Sequence, residues 1–392
     1  MYNLLMLIGF KTELKVNSTQ RVLLAKHAGT ARHAYNWGLG LCKQILDNNK
    51  TNPEEKIKFP TAIDLHKWLV ALVKPRFEWY YQVSKCAPQY ALRHLADAFK
   101  RFFSKKGGFP KFKKKGRGDS FALDGSITVD HRKIKVPIIG WIKTYERLPQ
   151  GVKPFSVTIS RTADRWFVSF KIEIEPTITE KKVDVVGVDL GVNHLATLST
   201  GEVFDGIKAY KKYEKKLSRM QGLNRHKQRH SANYKKAQLK IARLHRKIAN
   251  IRKDTLHKIT TYISKNHAVI GIEDLNVSGL LANHKLAKAI ADMGFYQFRQ
   301  QLEYKCKLYG SKLVVVDRFF PSSKRCSNCL TVKSSLSLSE RTYCCDSCGF
   351  ESDRDLNASI NLELAVRSTV LASGLEGCRH PQSEGGRNVS NC

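Results

Sequence analysis

Two Cys-x2-Cys pairs constrain the fold of this chain more than any other feature of its sequence. The pairs are Cys326/Cys329 and Cys345/Cys348, and fifteen residues separate them. This spacing is typical of two zinc knuckles, in which each turn supplies two thiolates to one tetrahedral ion. Because four thiolates close the coordination sphere, we predict a structural Zn²⁺ ribbon without a catalytic role.

The residues beside the two pairs leave local alternatives open. Cys344 adjoins the second pair and is an alternative zinc ligand. Gly349 follows the second pair, where such turns prefer glycine, whereas Leu330 follows the first. The chain has 10 Cys, and neither disulfides nor isolated buried thiols account for the paired spacing. The cluster therefore indicates metal binding in an intracellular protein.

The net charge indicates the class of partner. The chain has 68 Lys+Arg against 34 Asp+Glu, a formal charge of +34, which favours polyanions. The excess is concentrated in two tracts, 105–117 and 208–253, and the second holds 17 Lys or Arg and one acid, Glu214. A run of charged residues is usually a solvent-exposed helix face. Here the mutual repulsion of the Lys and Arg side chains favours a nucleic-acid partner. A ribosomal or anionic-lipid-binding protein is the alternative that composition leaves open.

The sequence predicts no membrane partner. We find no window of about 18 consecutive apolar residues, which a spanning helix requires. Residues 1–10 are apolar but too short, and they lack the basic start and small-residue cleavage site of a signal peptide. We interpret them as the beginning of a strand over 3–16.

The first 175 residues divide by pattern into a helical part and a strand-rich part. Helices are predicted from Ser18 or Thr19 to about Leu41 and over 61–73 and 84–104. Strands are predicted over 121–129, 133–136, 155–160 and 166–174. We expect a small β-barrel or sandwich that includes strand 3–16, with the helices inserted.

Residues 183–316 predict an α/β domain with a mixed sheet. A linker over 176–182 leads into three consecutive strands. Long basic helices over 208–265 separate these strands from two later ones. The predicted strands are 183–189, 194–199, 202–204, 268–272 and 312–316. We expect residues 373–392, which are rich in Gly, Ser and Asn, to be a disordered tail.

Several acids stand at the ends of these apolar strands. Asp189 closes the first strand, Glu273 and Asp274 close the fourth, and Asp353 and Asp355 precede a helix. A carboxylate beside a buried strand is costly unless it is paired or binds a metal. Together such acids could hold two Mg²⁺ ions about 4 Å apart, which activate water for phosphodiester hydrolysis. Taken singly, each acid is more often a turn residue or a helix cap.

A set of short motifs occurs in a fixed order along the chain and carries a family resemblance. The motifs are Ala31–Trp37, Gly108–Lys113, Gly187–Val192, Gly271–Leu275, Phe320–Cys329, Cys345–Gly349 and Asp353–Ala358. Together they resemble the TnpB (OrfB) family of transposon-encoded RNA-guided DNA endonucleases, which is related to type V CRISPR effectors. The resemblance covers about residues 5–370, and Leu330 is its visible departure.

The resemblance implies a multidomain α/β protein with an RNase H-like (RuvC-like) nuclease domain. Its implied catalytic residues and Mg²⁺ ligands are Asp189, Glu273 and Asp355, rather than Asp274 or Asp353. A β-barrel wedge domain carries an inserted helical recognition domain, and the zinc ribbon is inserted in the nuclease domain. The expected boundaries are 1–16 and 116–180 for the wedge, 17–115 for the helical domain, 181–325 and 350–372 for the nuclease domain, and 326–349 for the ribbon.

The resemblance also implies the partners. A guide RNA from the transposon end pairs with double-stranded target DNA beside a short adjacent motif, in the cytoplasm and nucleoid of a prokaryote. The protein then contacts the sugar–phosphate backbone of the heteroduplex that the guide RNA forms with the target DNA. The predicted nucleic-acid contacts are Lys105, Lys106, Lys111, Lys113, Lys114, Lys115, Arg117, Lys235, Lys236, Lys240, Arg243, Arg246 and Lys247. The alternatives are a transposase that joins strands and a regulator without chemistry.

Overall fold

The computed structural model describes residues 5–337 and 339–372. The predicted tail over 373–392 and the first two residues of the predicted strand 3–16 lie outside the described residues. The chain separates into two compact units of mixed α/β character. The first contains Leu5–Ile174 with Gln238–Arg243, and the second contains Glu175–Ala237 and the described chain from Leu244 onward.

The first unit combines an antiparallel sheet with helices. In chain order its elements are β1 (Met6–Lys15), α1 (Ser18–Thr51), α2 (Ala62–Trp68), α3 (Cys86–Phe103), β2 (Ser120–Asp124), β3 (Thr128–Asp130), β4 (Lys133–Val136), β5 (Gly140–Thr144), β6 (Ser156–Thr162) and β7 (Arg165–Ile174). The sheet order is β2-β6-β7-β1-β5-β4-β3. Strand β1 pairs with β7 along most of its length and with β5 at its end. The helices are therefore inserted between the central strand of the sheet and β2.

Two predicted segments of this unit differ in the structure, and one strand of the structure was not predicted. The helix predicted over 61–73 ends at Trp68 and continues as a π-helical turn, Leu69–Val73, ahead of Pro75. The strand predicted over 121–129 is two strands, because Gly125 adopts a positive φ of 91° between them. Strand β5 was not predicted, because five residues after a turn show too little alternation.

Helix α1 packs closely on α3. Asn17 caps α1 and forms a capping box with Gln20. At Gly38 a Cβ atom would lie 2.8 Å from Leu92 and 3.0 Å from Leu95, so a larger residue would force these leucine side chains to shift. Helix α3 buries Leu92, Leu95 and Phe99 in the same core, as its predicted apolar face requires.

The second unit contains a mixed sheet. Its elements are β8 (Val183–Asp189), β9 (Ala196–Leu198), β10 (Val203–Phe204), α4 (Ala209–Arg225), α5 (Ala232–Asn266, with six residues in the first unit), β11 (His267–Glu273), α6 (Val277–Ala282), α7 (Ala287–Met293), α8 (Phe295–Tyr309), β12 (Lys312–Val316), β13 (Thr342–Cys344), β14 (Glu351–Asp353) and α9 (Arg354–Ala372). The sheet order is β10-β9-β8-β11-β12. Strands β8, β11 and β12 are parallel, and β9 is antiparallel to β8 and β10.

Helix α9 lies directly on the parallel strands, and two glycines allow its close approach. Gly187 of β8 and Gly271 of β11 are partners in the strand register. A Cβ atom on Gly187 would overlap the carbonyl oxygen of Ser359, and one on Gly271 would lie 2.5 Å from Val366. The glycine pair therefore forms a groove that receives the helix. This contact fixes the start of α9 relative to the ends of the strands.

Among the described residues, none of the helices combines the length and apolar character that a bilayer span requires.

Candidate functional site

Asp189 and Glu273 occupy equivalent positions at the ends of adjacent parallel strands. Val188 and Ile272 are register partners, so the next residue on each strand is one of these two acids. The carboxyl ends of parallel strands meet at one edge of a sheet, and the chain leaves the sheet immediately afterwards. The structure therefore places both carboxylates at the same sheet edge, beside the loop that begins at Leu190.

Asp355 joins the two strand-end acids from the first turn of α9. A Cβ atom on Gly191 would lie 3.7 Å from Oδ2 of Asp355, which places that carboxylate against the loop after β8. Desolvation by burial, followed by the negative charges of Asp355 and Glu273, raises the pKa of Asp189 to about 7. The structure therefore brings the three sequence-predicted acids together.

Burial and the charges of its two acidic neighbours make ionisation of Asp189 costly. Burial, and secondarily the charge of Asp274, raises the pKa of Glu273. The guanidinium of Arg354 lies 3.2 Å from Asp355 and opposes the shift at Asp189. Carboxylate oxygens are the ligands that Mg²⁺ prefers, and a divalent cation would remove the mutual repulsion. The donor set thus fits hard divalent ions.

The two neighbouring acids that the sequence left as alternatives have other partners. Asp353 caps α9, because its Oδ1 accepts hydrogen bonds from the backbone N–H groups of Asp355 (2.9 Å) and Leu356 (3.0 Å). Asp274 binds Arg299 and Arg318, each at 2.5 Å, and these arginines lower its pKa. Glu273 rather than Asp274, and Asp355 rather than Asp353, therefore lie with Asp189.

A cavity of about 430 Å³ lies beside Glu273, one of the two strand-end acids. Glu273, Leu190, Arg299 and Arg318 line it, together with Tyr296, whose side chain is 60% exposed. The two arginines also link the end of β11 to α8 and to the segment after β12. No local sequence pattern indicates this network, because the two arginines lie 25 and 44 positions from Asp274.

The four knuckle cysteines converge as predicted. Their Sγ atoms all lie within 4.8 Å of one another. The distance from Cys326 to Cys348 is 3.7 Å, and the distance from Cys329 to Cys345 is 3.5 Å. Two sulfurs bound to a tetrahedral zinc at about 2.3 Å lie about 3.8 Å apart, so the group fits this ion.

Cys344 stands outside this group of four. Its thiol donates to the Glu351 carboxylate at 3.3 Å on the short β13–β14 hairpin. In contrast, the Thr331 hydroxyl and backbone lower the pKa of Cys329 to about 6, which favours the ligating thiolate. The structure thus separates the alternative ligand from the cluster.

The two knuckles share one backbone geometry although their sequences differ. Leu330 and Gly349 both follow a second cysteine, with φ of 65° and 70°, and each donates its N–H to the first cysteine's carbonyl at 3.0 Å. Leu330 therefore adopts the left-handed conformation that glycine adopts in the other knuckle. Leucine rather than glycine at position 330 therefore leaves the local turn unchanged.

Two buried asparagines attach the ribbon to α9. Asn357 accepts from the N–H of Ser327 at 2.9 Å and donates to the carbonyl of Arg325 at 2.8 Å. Asn361 donates to the carbonyls of Ser322 and Arg325. Both side chains are fully buried. Asp355 lies two residues before Asn357 and six before Asn361, so the same helix carries a strand-edge carboxylate and the ribbon's anchor.

Most of the predicted nucleic-acid contacts are exposed. In the first tract only Lys113 is half-buried, with its ammonium 4.2 Å from the ring centre of Tyr35, and burial lowers its pKa. In the second tract Arg246 is half-buried and Arg243 binds Asp164 at 2.7 Å. The remaining exposed cations, which form no ion pair with an acid in the described part of the chain, include Lys105, Lys106, Lys111, Lys114, Lys115, Arg117, Lys235, Lys236 and Lys240.

Three family profiles match the chain. The OrfB_IS605 profile, described as "Probable transposase", matches residues 169–284. A Cas12f1-like TNB domain profile matches residues 295–362, which include the four cysteines and Asp355. A helix-turn-helix domain profile of the OrfB group matches residues 6–51, which form β1 and the continuous helix α1 in the structure.

Two bacterial relatives share the name "Putative RNA-guided DNA endonuclease". One, from Streptomyces pristinaespiralis, is 41% identical over 317 residues, which cover 78% of this chain and 77% of the relative. The other, InsQ of Escherichia coli K12, is 34% identical over 386 residues, which cover 93% of this chain and 94% of the relative.

A solved structure shows the same fold. The cryo-EM structure of a Cas12f1–sgRNA–target DNA complex aligns with a TM-score of 0.56 at 14% identity, covering 89% of this chain and 83% of that chain. With a relative 34% identical along nearly the whole of both sequences, the comparisons show that this chain belongs to the TnpB (OrfB) family.

Proposed function

We propose that this protein is an RNA-guided, Mg²⁺-dependent DNA endonuclease of an insertion-sequence element. The observation that carries the proposal is the convergence of Asp189, Glu273 and Asp355 at one sheet edge. The names of both bacterial relatives support the activity. Burial raises the pKa of two of these acids, as is common where titratable groups serve chemistry.

The topology of the second unit supports a RuvC-like nuclease domain. Numbered from β8, its strands lie in the order 3-2-1-4-5, and the second is antiparallel to its neighbours. This is the mixed sheet that the pattern of residues 183–316 predicts. The acids lie at the ends of the first and fourth strands and on the helix that covers them.

The three carboxylates would hold the metal, and neighbouring groups would hold the carboxylates. Mg²⁺ ions held by these carboxylates would supply the Lewis acidity that phosphodiester hydrolysis requires. Arg354 orients Asp355 through the contact at 3.2 Å. Asp274 and its two arginines fix the backbone that follows Glu273. The zinc ribbon has a supporting role, because it is anchored to the helix that carries Asp355.

The first unit and the basic tracts would bind nucleic acid. We infer that the antiparallel sheet is the wedge barrel and that α1, α2 and α3 form the recognition domain inserted in it. The exposed cations of 105–117 and 208–253 would contact the backbones of guide RNA and target DNA, which makes binding dependent on salt. The target itself would be selected by base pairing with the guide.

Strand joining is the second candidate activity. The family profile described as "Probable transposase" favours it, and carboxylate clusters serve both hydrolysis and joining. The products distinguish the two. RNA-dependent linear breaks support the endonuclease, whereas joined ends support the transposase.

One experiment tests the proposal directly. The protein is purified with its copurifying RNA, the RNA is sequenced, and plasmids carrying the matching target are incubated with Mg²⁺. Asp189→Ala should abolish cleavage and leave RNA binding intact. Asp184→Ala is the matched control, because Asp184 lies on the same strand with an exposed side chain. Cleavage by Asp189→Ala at the wild-type rate would refute the assignment.

A further inference from the structure

Helix α1 forms one wall of a cavity of about 730 Å³ in the first unit. Its lining residues Lys26, Gly29, His33 and Trp37 recur at helical spacing on one face of α1, and Trp79 also lines it. The volume is within the range of about 300–1,000 Å³ that is usual for ligand sites. The chemistry proposed above uses none of these residues.

The aromatic side of the cavity is rigid. Trp79 stacks on Tyr80 with ring centres 4.4 Å apart and an interplanar angle of 23°. The ring of His33 meets Trp79 edge-on at 5.1 Å, and its Nδ1 lies 2.8 Å from the hydroxyl of Tyr80. Burial lowers the pKa of His33, which favours the neutral imidazole. The cavity therefore presents fixed, uncharged π surfaces.

Among the residues that the structure describes, no acid lies within bonding distance of Lys26 at the cavity. Lys26 donates to the side-chain oxygen of Gln82 at 2.8 Å, and this neutral acceptor leaves its positive charge uncompensated. Arg32, in contrast, pairs with Asp119 at 3.0 Å. The indole rings of Trp37 and Trp79 can stack on a flat ring, and the Lys26 ammonium can bind an adjoining anionic group of the same ligand.

Gly29 keeps the floor of the cavity open. A Cβ atom built there would meet only the guanidinium of Arg32, at 3.8 Å, so a side chain would extend into the cavity without distorting the helix. Gly40 lies on the same helix, outside the cavity, and a Cβ atom there would meet nothing within 4 Å. The two glycines provide a site-filling substitution and its control.

We propose that this cavity binds one unstacked nucleotide of a nucleic-acid strand, with its base against Trp79 and Trp37 and its phosphate at Lys26. The inference rests on the proposed function, because the strand is either the guide RNA or the target DNA. It deepens that function by assigning a base-holding site to α1. Stacking on an aromatic side chain usually changes affinity by about 5- to 150-fold.

The test measures binding of the full-length protein to single-stranded RNA and DNA oligonucleotides of one sequence, each labelled with a fluorescent adenine analogue. Gly29→Leu and Trp79→Ala should each weaken binding of the same strand by about 5- to 150-fold. Gly40→Leu should bind as the wild type does. The strand that loses affinity identifies the source of the nucleotide.

Thermal unfolding separates a binding effect from a folding effect. Gly29→Leu and Gly40→Leu should both unfold at or above the wild-type temperature, because each replaces a helical glycine. Wild-type affinity of Gly29→Leu for both strands overturns the inference, and so does an equal loss in Gly40→Leu. A loss of affinity in Trp79→Ala alone also overturns the inference, because that result would show that Trp79 has a structural role. If the wild type binds neither strand, the proposed function itself fails.

Discussion

The backbone of β8 at Gly187 lies in direct contact with the backbone of α9 at Ser359. A Cβ atom on Gly187 would overlap the Ser359 carbonyl oxygen and would lie 2.5 Å from the N–H nitrogen of Glu363. Backbone atoms cannot move aside as the end of a flexible side chain can. This contact therefore sets the distance between Asp189, two residues later on β8, and Asp355, four residues earlier on α9.

Gly187→Ala should destabilise the protein and reduce cleavage. The added methyl group must push α9 away from the sheet, which costs about 1–3 kcal/mol or more and displaces Asp355. Gly9→Ala on β1 is the control, because a Cβ atom there meets nothing within 4 Å. Urea unfolding and a cleavage assay would compare the variants. A Gly187→Ala protein as stable and active as Gly9→Ala would contradict the packing argument.

The raised pKa of Asp189 predicts that the metal-free protein loses stability as pH rises. The unfolded carboxyl ionises near its ordinary value of 3.8, whereas the folded one ionises at about 7. Between these values the folded state binds the extra proton, so the free energy of unfolding falls by up to about 1.4 kcal/mol per pH unit. Above pH 7 this contribution should level off.

Thermal unfolding in a metal chelator, followed from about pH 5 to about pH 8, measures this dependence. Asp189→Asn removes the titrating group and should flatten the profile, while Asp184→Asn should retain it. Mg²⁺ binds the ionised carboxylates, so the stabilisation it gives should increase through pH 7. Parallel profiles for the wild type and Asp189→Asn would exclude Asp189 as the titrating group.

Leu330→Gly should strengthen the zinc ribbon. Leu330 adopts a φ of 65°, and a left-handed conformation costs a non-glycine residue about 1 kcal/mol. Gly349→Ala makes the opposite change at the equivalent turn and should weaken the ribbon by a similar amount. Competition with a zinc chelator measures both effects. The two substitutions should change zinc affinity in opposite directions. Weaker zinc binding by Leu330→Gly would therefore refute the equivalence of the two knuckles.

Removal of zinc should reduce cleavage, although we assign zinc a structural role and no part in the reaction. Without zinc the knuckle turns lose the geometry that Asn357 and Asn361 recognise, and the start of α9 loses its anchor. Proteolysis should then cut within 320–350, and cleavage should return when Zn²⁺ is restored in the presence of Mg²⁺. Full activity of the zinc-free protein would show that the ribbon does not position Asp355.

Asp274→Asn should raise the Mg²⁺ concentration required for half-maximal cleavage. The change removes the charge that holds Arg299 and Arg318, and loss of such supporting contacts typically costs about 10- to 100-fold in metal affinity. Asp254→Asn is the matched control, because its pair with Lys258 is exposed on both sides. An unchanged Mg²⁺ requirement in Asp274→Asn would show that the arginines act on stability alone.

Local sequence patterns predicted the parts of the site that depend on short spacing. The Cys-x2-Cys pairs specify turns, and those turns place four sulfurs together. Strand ends and the family motifs selected Asp189, Glu273 and Asp355. The partners of Asp274 could not be predicted, because the contacts join residues far apart in a chain with many arginines. Similarly, Lys113 resembles its neighbours in sequence, and only tertiary packing shows that it lies on Tyr35.

The position of Asp355 in the chain has a consequence for biosynthesis. Both strand-end acids leave the ribosome well before it, and the four cysteines lie between. A nascent polypeptide that has just completed β12 therefore carries the basic tracts and two acids, but neither the third acid nor the helix that covers Gly187. Under the proposed function, translation therefore completes the basic tracts before it completes the set of three acids. A frameshift inside the ribbon would make that intermediate permanent.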